Sequence, residues 1–165
     1  MKEETKEIDT KSKEVNLNII DEAHIIESKW IRKGEELDIR VSKSNVTSFE
    51  RFKECVKDQL ERLKPEDVER TQGLYEVFDV MRNNVDDDTA NQSLKLLQDE
   101  HGIRFKQYIF TANFLTGVPQ YLQEQGLKGQ CRGLVELSLS RNKLEQIDLK
   151  GIMECFPTLE VLNLS

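Results

Sequence analysis

The chain has 165 residues, of which 33% are charged and 37% hydrophobic, and it carries a net charge of −7. An acidic balance argues against non-specific nucleic-acid binding, which needs a basic surface to release phosphate counterions, although a local basic patch is compatible with it. No run approaches the 18 apolar residues of a membrane-spanning helix.

Residues 1–14, MKEETKEIDTKSKE, mix both charges and hold no apolar stretch, so they are expected to form a disordered lead without a conventional signal peptide. Residues 15–44 read as a β-rich segment. Val15, Leu17 and Ile19 alternate with Asn16 and Asn18, and Leu37, Ile39 and Val41 alternate with Asp38 and Arg40, the period of half-buried strands. Residues 24–31 suit strand or helix equally, and Lys33-Gly34-Glu35 suits a turn.

Residues 45–103 read as helical. Phe49, Phe52, Val56, Leu60 and Leu63 line one helical face, with Thr47 or Ser48 placed to cap its start. Pro65 suits the first position of a second helix, which is expected to carry Val68, Leu74, Val77, Phe78 and Met81 and to run out near Asn83-Asn84. A third helix is expected over 89–100. Leu94 and Leu97 face inward, Asp88 or Thr89 caps it, and His101-Gly102 ends it.

From residue 104 the pattern changes. Leu134, Leu137, Leu139, Asn142 and Leu144 stand at the spacing L-x-x-L-x-L-x-x-N-x-L, and Leu159, Leu162 and Leu164 begin the same pattern 25 residues later. Phe105, Tyr108, Phe110, Asn113 and Leu115 fill the same five positions 29 residues earlier. In each copy the central apolar residues alternate onto one face of a short strand. The asparagine follows where the chain bends, and its amide can satisfy backbone groups the bend exposes. Stacked copies would align these asparagines in a ladder. Between strands, Gly117-Val118-Pro119-Gln120 starts a helix that Gly126 is placed to end, and Pro157 closes a short helix or turn over 146–157.

Across about residues 105–165 these motifs resemble the leucine-rich-repeat family, with about 2.5 repeats over 104–165. The resemblance implies an α/β fold: a short right-handed solenoid with a parallel sheet on its concave face, used to bind another protein. Helices in 45–103 would then cap its N-terminal edge. Outward positions of the repeat strands are the candidate protein-binding residues: Ile109, Thr111, Glu136, Ser138, Val161 and Asn163, with Arg141 and Lys143 at the strand exit. A last strand left without a neighbour would favour self-association.

Other chemistry finds little support. Asp86-Asp87-Asp88 lacks the glycine and terminal glutamate of a calcium loop, and His24 and His101 have no partner at ligand spacing, so no metal or cofactor is expected. Cys55, Cys131 and Cys155 show neither metal spacing nor a disulfide framework, and none has a histidine nearby in sequence to activate it. Gly126, Gly129 and Gly133 do not form a phosphate loop. Asn45, Asn91 and Asn163 fit a glycosylation pattern that means nothing without secretion. Free cysteines suit a reducing compartment, so a cytoplasmic, non-enzymatic binding protein is expected, or an effector delivered into a host cell. Two alternatives stay open. One is the substrate-recognition part of an enzyme whose catalytic segment is 15–100. The other is a regulator of a small GTPase, which would supply Arg132 or Arg141 to the nucleotide site.

Overall fold

Five short strands form one parallel sheet in the computed structural model, which describes residues 38–165; the expected lead over 1–14 and the segments 15–19 and 24–31 lie outside the described residues. The strands are β1 (Ile39–Arg40), β2 (Leu74–Asp79), β3 (Arg104–Ile109), β4 (Glu136–Ser138) and β5 (Val161–Asn163), and each pairs with the next in chain order. Parallel neighbours need a crossover, and helices supply it. Helices α1 (Phe49–Glu61) and α2 (Pro65–Thr71) join β1 to β2. Helix α3 (Asp87–Lys95), prolonged by a π turn over Leu96–Glu100, joins β2 to β3. Helices α4 (Gln120–Leu127) and α5 (Leu149–Cys155) make the last two connections. The fold is α/β.

Local chemistry sets most boundaries. The Ser48 hydroxyl accepts from the Arg51 N–H and starts α1. Asp86, not Asp88 or Thr89, caps α3, because its carboxylate reaches the Thr89 N–H. Gly126 does not end α4, which runs on to Leu127. It is buried, and a Cβ there would stand 2.5 Å from the Cys155 carbonyl oxygen, so glycine lets α4 approach the end of α5.

The second expected helix is the main correction. It stops at Thr71, where Gln72 (φ 55°) and Gly73 (φ 75°) both take the left-handed conformation that terminates helices. Leu74, Val77 and Phe78 lie in β2 instead, and Met81 follows it. Positions Tyr75 to Asp79 are all buried, so β2 lacks the apolar–polar alternation that marks a half-exposed strand. The region 45–103 is therefore not wholly helical, since it contributes a strand to the middle of the sheet.

One row of side chains forms the spine of the core. Ile39, Phe78, Tyr108, Leu137 and Leu162 are register partners across all five strands. Against them pack Phe52 and Val56 of α1, Leu94 of α3 with Leu97 of its π turn, Leu122 of α4 and Ile152 of α5. Phe78 sits at the centre of an aromatic cluster, with ring centroids of Phe52, Phe105, Tyr108 and Phe110 between 5.5 and 6.0 Å away.

At the start of the sheet, the carboxamide of Gln59 stands where another strand would pair. Its oxygen accepts from the Arg40 N–H (3.1 Å) and its nitrogen donates to the Arg40 carbonyl (3.4 Å), covering the outer edge of β1.

Candidate functional site

The turns after the strands repeat one hydrogen-bond scheme three times. Asn113 donates through Nδ2 to the carbonyls of Val80, Phe110 and Thr111 at 3.0–3.3 Å, and its Oδ1 accepts from the N–H groups of Asn83 (3.2 Å) and Val85 (3.0 Å). Asn142, one strand later, donates to Phe110, Leu139 and Ser140 and accepts from Leu115. Asn83, one strand earlier, donates to Val41, Val80 and Met81 and accepts from Ser44 and Val46. Each amide thus ties its own turn to the preceding one. The three form a ladder, with serine at the equivalent first position, Ser44.

Asn83 belongs to a copy of the motif that the sequence reading missed. Tyr75, Phe78, Val80, Asn83 and Val85 hold the same five positions 30 residues before the Phe105 copy. Ile39, Val41, Ser44 and Val46 hold four of them before that. The spacing was the available signal, but Leu74, Val77, Phe78 and Met81 also fit the face of a helix.

Sheet register brings the expected site residues together in rows. Val77, Gln107, Glu136 and Val161 are partners in one row, and Arg40, Asp79, Ile109, Ser138 and Asn163 in the next. Thr111 joins the second row through its hydroxyl, 2.8 Å from that of Ser138, and Ser140 Oγ lies 3.4 Å from it. Accessibility divides the set. Ile109, Glu136 and Ser138 are buried, Thr111 and Asn163 are half-buried, and Arg141 and Val161 are exposed. Asp79, Arg40 and Gln107, which the sequence reading did not single out, share these rows. Arg40 pairs with Asp38 (3.2 Å) and Asp79 (3.4 Å), and Lys106 with Glu76 (2.7 Å).

Burial pushes the Glu136 carboxyl up from 4.5 to about 7. Below pH 4.5 the group is protonated in both folded and unfolded chains. As pH rises from about 4.5 to about 7, the unfolded chain ionises first, so this group's contribution to stability is progressively lost and then stays lost. Glu136→Gln should therefore remove that slope and stabilise the protein at pH 8 relative to pH 5. Denaturant melts of both proteins at the two pH values measure it, and parallel pH profiles would refute the assignment.

The Asp87 carboxylate takes the Thr116 N–H (3.0 Å) and hydroxyl (2.5 Å), and Asp86 caps α3, so two of the three acidic residues are tied into turns, while Asp88 is exposed. Among the described residues no group of three His, Cys, Asp or Glu could hold a metal ion, and no helix is long and apolar enough to cross a membrane. The three cysteines are free thiols. Burial pushes Cys131 up to about 11, away from the thiolate a nucleophile needs, and raises Cys155 as well. Arg132 and Arg141 are exposed on either side of β4, one before it and one after. Comparisons with known families, with curated proteins and with solved structures find no match to this chain.

Proposed function

We propose that residues 38–165 form a short leucine-rich-repeat solenoid whose sheet face and exit turns recognise another protein. The observation that carries this reading is the asparagine ladder, Asn83, Asn113 and Asn142, repeating with in-register parallel strands. Such stacked units present rows of outward side chains at fixed spacing, a rigid surface suited to recognition. Exposure concentrates the contact on Val161, Asn163, Thr111 and Arg141. Its free thiols suit a reducing, cytoplasmic setting, whether the protein acts in its own cell or in a host.

Affinity capture with the full chain tests the proposal, with a Thr111→Arg/Val161→Arg/Asn163→Arg variant as comparison. A discrete protein partner should be captured by the wild type and lost from the variant, while the variant keeps the wild-type circular dichroism spectrum. A partner held equally by both, or no partner, would overturn the assignment.

A further inference from the structure

We draw no further inference here: the strongest candidate, the exposed apolar pair Leu149 and Met153 one turn apart on α5, carries nothing because nothing in the structure shows what covers it.

Discussion

Replacing Asn113 with alanine is expected to destabilise the fold by about 3–5 kcal/mol, a large part of the 5–15 kcal/mol that holds a typical domain. The buried amide makes five hydrogen bonds to main-chain groups in two successive turns. Alanine leaves those groups without it, and each unpaired buried group costs about 1–3 kcal/mol, less where water enters. Asn142→Ala should cost less, because Asn142 is half-buried and its oxygen accepts one N–H rather than two. Asn83→Ala should resemble Asn113→Ala, since its bonding is equivalent. Denaturant unfolding of the three variants measures the series. Equal small losses at all three positions would mean that the ladder follows from the fold without stabilising it.

Phe78→Ala should be comparably damaging, at about 3–5 kcal/mol, the usual range for deleting a buried phenylalanine. Phe78 meets four other rings and has Ile39 and Tyr108 as register partners, so its removal opens a cavity where β1, β2, β3 and α1 converge. Phe78→Leu should recover a substantial part of the loss. Thermal melts of the pair distinguish packing from a merely permissive position: if alanine melts with the wild type, the aromatic cluster is not the centre of the core.

The same residue shows why half of the architecture was hidden in the sequence. Leu74, Val77, Phe78 and Met81 fall at steps of three, one and three, which imitates the face of a helix. Burial of β2 from Tyr75 to Asp79 erased the alternation that would have identified a strand. In the two copies centred on Leu137 and Tyr108 the frame was readable, because each asparagine follows its apolar pair at a fixed distance. Asn83 obeys that distance too, but the helix-like steps of Leu74, Val77, Phe78 and Met81 obscured its frame.

The candidate face was legible in direction and not in depth. Alternation assigns Ile109, Glu136, Ser138, Val161 and Asn163 to one strand face, and register sets them in two rows. It carries no information on accessibility, so the burial of Ile109, Glu136 and Ser138 and the consequent rise of the Glu136 carboxyl needed three dimensions.

The Gln59 carboxamide also bears on how copies of this protein could meet. A strand from a second molecule could extend the sheet at β1 only by taking the Arg40 N–H and carbonyl. Gln59 already holds both, so one side-chain amide on α1 closes that edge to pairing.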